Sequence, residues 1–525
     1  MGEDTYDVVV VGAGHNGLAA AVHLAKHGMS VCVLEQADRI GGAAVTEEVT
    51  LPGFRHDLYA MNLSLFAGSA FHAEYGNELS NYGLEFVPAK DCFASAFPSG
   101  KWLGLSADVE TTAGRIEAFS ADDAARWREM SAAFADDAPY YFALLGGPMG
   151  ARNLARTAIK TLRRKGTAWT IDAVKLLLSS PRDFLDANFS SPELKAMLAP
   201  WAMHLDFPPD ASGGALFPYL EAMADQSFGM ALGKGGAEVV PHAMAGLFTQ
   251  ADGVIHTSAP VASIEQTAGR ATGVRLEDGD LITAREAVFA SVTPKGLLSL
   301  LGGTTGAARK DEALKSFKHG PGTMMIHVAA GALPDWTAGE ELKKFAYVHL
   351  APTLSCLSTT YAHAMEGLLP AEPAVVVGQP TAVDPSRAPE GQHVLWIQVR
   401  VVPSHPVADA LDEITPAPWD KIKEAMADRV MAIIERYAPG FGENVLARTV
   451  HSPADLEAAN PNLVGGCSLG GSHHLRQNFL FRPAVGMAQY KTPIAGLWMI
   501  GSSTWPGAGL GAGSGYMAAK MLARN

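Results

Sequence analysis

Cysteine is scarce in this chain. Its 525 residues hold four, Cys32, Cys92, Cys356 and Cys467, and no two stand as C-x-x-C or C-x-x-x-x-C. A dithiol redox pair of the kind a flavin disulfide reductase needs is therefore missing, and scattered thiols fit a reducing compartment. Basic charge is short as well. The 40 Lys and Arg stand against 54 Asp and Glu, a formal net charge of −14. No overall positive field exists to draw in a phosphate backbone, so no nucleic-acid partner is expected. No apolar run approaches the ~18 residues of a membrane-spanning helix. The opening MGEDTYD lacks the charged-then-apolar profile of a signal segment, and Tyr6 stands where a myristoylation pattern wants Ser or Thr. No internal repeat, low-complexity tract or Ser-His-Asp order is visible. The expectation from these absences is a cytoplasmic globular protein, at this length built from two joined domains.

What the chain does have is concentrated near its start, in DVVVVGAGHNGLAAAVHLAKHGMSVCVLEQADRIGG from Asp7 to Gly42. Asp7 to Val11 is a β-branched run suited to a strand buried on both faces. Gly12, Gly14 and Gly17 follow as G-x-G-x-x-G, Leu18 to His27 keeps apolar residues at helical spacing, and a second buried strand ends on Glu35. Gly12 permits the turn, Gly14 lets a pyrophosphate approach the backbone, and Gly17 lets helix and strand pack closely. The helix N-terminus offers unpaired N–H groups to phosphate. Glu35 stands roughly 20 residues past the last glycine, where a carboxylate can accept the hydroxyls of an adenosine ribose. Gly41 and Gly42 then let the chain turn back past the cofactor, which favours FAD over NAD, and the glutamate repels the 2′-phosphate of NADP.

Beyond Gly42 the grammar changes. Residues 76 to 225 read as a mostly helical insertion, with helical patterns at 120–134, 153–164, 171–178 and 192–203. The stretch 233–292 returns to α/β character, with short strands around Ala259-Pro260-Val261, a hairpin turning at Asp278-Gly279 and a buried strand at 286–291. Strand candidates at 324–329, 346–350, 374–377 and 394–402 are expected to form the sheet of a substrate domain. Pro418 suits the first turn of a charged amphipathic helix that runs to Tyr437. The chain closes with a strand at 497–500 and a glycine-rich stretch, Gly507 to Gly515, that leads into a final helix. This is a second helix start suited to an anion.

These residues resemble the phytoene dehydrogenase-like flavoproteins, a group that includes carotenoid desaturases and ketolases, retinol saturases and the pyridine nucleotide-disulfide oxidoreductase domain protein 2 type. The resemblance lies in VVVVGAGHNGLAAAVHLAKHG, VLEQADRIGGAAVTEE, Gly233-Lys234-Gly235-Gly236, GVRLEDG from Gly273, PTAVDPSRAPEGQHVLW, Phe481-Arg482-Pro483 and YKTPIAGLWMIGSSTWPGAGLGAGSG. It covers essentially the full length. It implies an α/β fold: a Rossmann-type FAD-binding domain of the amine oxidase and desaturase kind with an interleaved α+β substrate domain. The FAD-binding domain would be discontinuous, from 1–75, 226–300 and 451–525. The substrate-binding domain would use 76–225 and 301–450 with the helical insertion. The resemblance carries FAD to Gly12, Gly14, Gly17, Glu35 and Gly42, the adenine to the backbone of Val261, and the pyrophosphate and flavin ring to Gly501, Gly509 and Leu510. Three departures flank the expected active site: Ala43-Ala44 where wider relatives place Arg, Thr504-Trp505-Pro506-Gly507 where they often read T-H-P-G, and GGCSLGGSHHLRQNF, which has fewer polar residues than the relatives' version.

The expected function is an FAD-dependent oxidoreductase that desaturates or oxidises an apolar small molecule, plausibly isoprenoid or carotenoid-like, by hydride transfer to flavin N5. An oxidase or dehydrogenase of an amine or alicyclic metabolite, and a non-catalytic flavin-binding structural protein, are the alternatives. The flavin carries the chemistry, and the electron acceptor, oxygen or a quinone, is not legible. Trp505 is a candidate to stack beside the isoalloxazine, at the mouth of the cavity or over the ring, against simple loop packing. His474 or His473 is a candidate base. A metal is not expected, because adjacent histidines point apart and no carboxylate stands beside them. His204 and Asp206, next to Trp201, read as a satisfied surface turn. Arg152, Arg156, Lys160, Arg163, Arg164 and Lys165 alternate with apolar residues over 152–165. That stretch is either a solvated face or a peripheral membrane contact.

Overall fold

The structure is a computed structural model that describes residues 4–523. Asp4–Val11 forms the strand its β-branched run calls for. Val8 and Val10 enter one apolar cluster and Val9 and Val11 another, on opposite faces of the sheet. The strand pairs in parallel with Val31–Leu34 on one side and with Leu281–Ala290 on the other. Val254–His256 continues the sheet beyond Val31–Leu34, again parallel. The long strand Leu281–Ala290 has two partners along its free edge. Its first half pairs antiparallel with Arg270–Leu276, which in turn carries Val261–Thr267, and its second half pairs in parallel with Leu497–Met499. The parallel strands thus come from three stretches far apart in the chain.

A second sheet of seven strands runs in the order Val445–His451, Gly322–Ala330, His393–Val402, Ala374–Gly378, Tyr347–Leu350, Asp91–Ala96 and Trp102–Ser106. All neighbours are antiparallel except Tyr347–Leu350 with Asp91–Ala96. One face buries Ile326, Val328, Val375, Val377, Leu395 and Ile397 in a cluster with the helix Trp419–Tyr437. Pro418 sits just before that helix as its cap rather than within its first turn. Within 76–225, which is mostly helical as its pattern predicts, the strands at 91–106 are exceptions that the sequence reading does not mark. DCFASA and WLGLS are short apolar runs, and at that length period alone does not separate strand from buried helix.

The helical region itself is present. Ala121–Leu145 is followed by Ala151–Leu178, which breaks at Gly166 (φ 82°, ψ 175°). Lys165 does not join the basic surface: it pairs with Asp137 at 2.6 Å and lies over the Trp169 ring. Arg152, Arg156, Lys160, Arg163 and Arg164 are exposed. Among the described residues no helix is long and apolar enough to cross a membrane.

A buried ionic junction joins the segments around Asp57, Gly233–Gly235 and Asp384. The guanidinium of Arg387 donates to Asp57, to Asp384 and to the carbonyl of Gly233, and Asp384 in turn accepts the Gly235 N–H at 2.6 Å. All three charged side chains are buried.

Candidate cofactor and substrate site

Gly12 turns the chain with φ +97°, and a Cβ on Gly17 would lie 2.0 Å from the Gly12 carbonyl oxygen. Gly12 is therefore the turn and Gly17 the close approach. Gly14 caps the helix His15–Lys26 with extended backbone (φ −71°), and no side chain or acid caps that end. A Cβ added to Gly14 would meet only the Cα of Gly42, at 3.8 Å, so the space above this helix start is open. Gly41 returns beside Gly14 as a one-residue bridge, with its N–H on the Ala13 carbonyl at 3.0 Å. Glu35, at the end of Val31–Leu34, accepts the Ala13 N–H on one oxygen (2.8 Å) and the Ala37 N–H on the other (3.0 Å). Its backbone carbonyl takes the Ala259 N–H at 2.8 Å, which brings Val261, at the start of the next strand, into the same neighbourhood.

The glycine-rich C-terminal stretch folds against this turn. After Leu497–Met499, Gly501 (φ +101°) donates its N–H to Ser514 Oγ at 3.0 Å, and Thr504 Oγ1 lies 2.6 Å from that oxygen. Ala512 starts the helix Gly513–Leu522 in the left-handed region, again with no side-chain cap and no acid in the first turn. The two helix starts touch. The Gly515 N–H points at Asn16 Oδ1 (3.4 Å), and the buried His15 ring hydrogen-bonds the Gly509 backbone, with burial holding its pKa down to about 4. Gly509 (φ +96°) and the buried Leu510 lie on the loop between them.

A third loop, 467–474, locks onto this one. Arg482 is fully buried and donates to the carbonyls of Ser472 (2.9 Å), Gly470 (3.1 Å) and Ser502 (2.7 Å). His473 Nε2 accepts the Ala508 N–H at 3.1 Å, and burial keeps the ring neutral. Ser468 Oγ is 3.1 Å from Thr323 Oγ1, and Cys467 Sγ accepts the Gly320 N–H. The loop therefore spans from the glycine loops to the start of the second sheet.

Two active-site candidates have defined partners. Trp505 is 1% exposed, donates its indole N–H to the Gly147 carbonyl at 3.0 Å and packs against Phe479. His474 is occupied at Nε2 by the Asp206 carbonyl (2.6 Å). His204 and Asp206 are not a surface turn: Asp206 is buried, with Tyr361 donating to it at 2.9 Å. Among the described residues no group of three or more His, Cys, Asp or Glu could hold a metal ion.

Comparison with known proteins gives this geometry a family. Residues 17–445 match the family described as flavin containing amine oxidoreductase. The chain belongs to it.

Within this flavin-containing amine oxidoreductase family, several relatives span nearly the whole chain. The rat protein named pyridine nucleotide-disulfide oxidoreductase domain-containing protein 2 is 29% identical over 564 residues, covering 99% of this chain and 94% of its own. A limonene dehydrogenase subunit of Castellaniella defragrans is 25% identical, covering 99% and 94%. The zeta-carotene-forming phytoene desaturase of Myxococcus xanthus is 26% identical, covering 96% and 90%. Among solved structures, a putrescine oxidase triple mutant superposes with a TM-score of 0.61 at 16% identity over 99% of both chains, a likeness of fold. The protein is thus a flavin oxidoreductase of α/β fold with FAD as its cofactor. Two uncapped helix starts without acids, and open space at Gly14, fit a bound pyrophosphate. His15, Asn16 and Arg482 were not singled out by sequence as parts of the site, nor was His473 as a link between loops. His15 and Asn16 lie inside the glycine motif as its variable positions, and nothing local to Arg482 or His473 tells which loops they join.

Proposed function

We propose that this flavoprotein oxidises a small, largely apolar molecule, isoprenoid or alicyclic in shape and held between the glycine loops and the inner face of the second sheet, by taking a hydride and a proton from it. The observation that carries this reading is a row of aromatic side chains across that face. Phe93 is in register with Tyr347, Tyr347 with Gly378, and Gly378 with Trp396. Gly378 supplies the room, since a Cβ there would meet Trp396 and Met61. Trp201 covers the row from the helical layer, 4.9 Å from Phe93 and 5.5 Å from His349 between ring centres. Relatives whose names state limonene and phytoene support an unsaturated hydrocarbon body.

We assign FAD to Gly12, Gly14, Gly17, Glu35, Gly42, Val261, Gly501, Gly509 and Leu510. The two helix starts would neutralise the pyrophosphate. Each Glu35 oxygen spends one lone pair on a backbone N–H and keeps another for a ribose hydroxyl. When bound, the flavin supplies the two-electron acceptor, and oxygen or a quinone takes the electrons onward. The chain's part is to orient the substrate carbon and exclude water. His473 and His474 each hold a backbone partner at Nε2, and among the described residues His474 keeps Nδ1 free to serve as the candidate base.

The test is anaerobic mixing of the yellow holoenzyme with limonene, phytoene and cyclohexylamine. Bleaching of the flavin by a hydrocarbon supports the proposal. Bleaching by the amine alone, or by none of the three, overturns it.

A further inference from the structure

The same inner face carries polar groups that an apolar ligand does not explain. In the row next to the aromatic one, Gln398 is in register with Met325 and Val376, and Val376 with His349. One row further, Arg400 lies beside Thr323, whose hydroxyl touches Ser468 of the loop that clasps the glycine loops. Residues directly opposite in a pair share a face, so Arg400 stands at the end of the aromatic face that adjoins that loop. Glu221 and Asp225 lie one turn apart on the facing helix Leu216–Phe228.

Several of these groups carry buried polar atoms without a partner. His349 is 1% exposed and neither ring nitrogen has a hydrogen-bond partner. The same holds for the indole nitrogens of Trp201 and Trp396, Asp225 Oδ2 and Arg400 Nε. Native interiors satisfy buried polar groups almost always, so this many orphans on two facing surfaces mark a place where a polar ligand completes the set. Arg400 is the pivotal one. Its guanidinium donates to Gln398 and to no carboxylate among the described residues. Yet it has five N–H donors in a fork that matches a carboxylate. Arg400 and Glu221 are only half-buried, but desolvation dominates both, bringing the arginine down to about 10 and the glutamate up to about 7.

We infer that the substrate is an apolar acid, whose carboxylate is held by Arg400 while its hydrocarbon body lies along Trp396, Tyr347 and Phe93. This rests on the proposed function for the location of the site and adds the charged end that the substrate must carry. Glu221 is close enough to Arg400 for their charges to interact, so in its protonated form it tolerates the acid and in its ionised form it opposes it.

The experiment uses the FAD-loaded protein and two isosteric probes, 2-naphthoate and 2-naphthamide, with binding measured by calorimetry and by perturbation of the visible flavin spectrum. The expected result is at least tenfold tighter binding of the acid. Arg400→Gln should remove that preference, Arg400→Lys should keep part of it, and Glu221→Gln should strengthen acid binding at pH 8. Equal affinity for acid and amide in the wild type overturns the inference, as does an unchanged preference in Arg400→Gln. If Arg400→Gln loses its FAD, the Lys variant and the wild-type comparison decide. Flavin bleaching by limonene with no acid preference would sink the anion site and leave the proposed function standing. Acid-selective binding with no change in the flavin spectrum would keep Arg400 as an anion site and remove the flavin-facing location.

Discussion

A Cβ placed on Gly515 would lie 1.7 Å from the carbonyl oxygen of Asn16. Two helix starts separated by nearly the whole chain are thus in backbone contact, and neither can move aside without breaking its own helix. Overpacking of this kind usually costs ~1–3 kcal/mol, and with backbone on both sides Gly515→Ala should reach the top of that range. Urea denaturation should show the loss, together with a lower ratio of flavin to protein absorbance.

Gly14 makes the contrast. Its backbone is compatible with any side chain, and the added methyl meets nothing closer than 3.8 Å. Gly14→Ala should therefore fold with a wild-type urea midpoint and bind FAD far more weakly. A variant that keeps full FAD would remove the pyrophosphate from this turn.

Arg387 holds Asp57 and Asp384 together where all three are buried. Arg387→Ala leaves two buried carboxylates without a cation, at a cost of about 3–5 kcal/mol. Pairing it with Asp57→Asn should recover part of the loss, because one orphan charge is then gone. Chemical denaturation of the wild type and the two variants checks this.

Acid should weaken the fold before it touches ordinary carboxylates. Burial holds His15 and His56 at about 4 and His349 at about 3, against 6.5 when free. The unfolded chain binds protons at these rings near pH 6.5 and the folded chain only below, so stability present at pH 7 is lost as the pH falls through that window. Each ring adds a slope of at most ~1.4 kcal/mol per pH unit. Glu221 works in the opposite direction. Its folded value of about 7, against 4.5, makes its share fade as pH rises from 4.5 through 7. Urea midpoints from pH 7 to 5 should fall, and Glu221→Gln should steepen the fall.

The Ala151–Leu178 segment exposes Ile159, Leu162, Ile171, Val174 and Leu178 beside Arg152, Arg156, Lys160, Arg163 and Arg164. Apolar side chains left in water next to cations suit an anionic membrane surface. The protein should co-sediment with phosphatidylserine vesicles at low salt and release as salt rises. Replacing Arg156, Lys160 and Arg163 by Glu should abolish binding. Equal sedimentation of both proteins would make this helix an ordinary solvated face.

The sequence alone determined the first βαβ unit and its chemistry. The order of Val8–Val11, three glycines, a helix and Glu35 is a local pattern, and Gly17 meets Gly12 only five residues away. It also marked strands at 324–329, 346–350, 374–377 and 394–402, because each apolar run carries the β-branched Val or Ile that DCFASA and WLGLS lack. Tertiary structure decided the rest. That Gly515 meets Asn16, that Arg482 gathers the carbonyls of two loops, and that Trp505 spends its N–H on Gly147 are contacts between distant segments. Residue spacing holds no trace of them. The same is true of Arg400. On the chain it is a polar residue in a largely apolar strand, and only the register with Thr323 and the nearness of Glu221 set it as a cation without a carboxylate hydrogen bond at the end of the aromatic row.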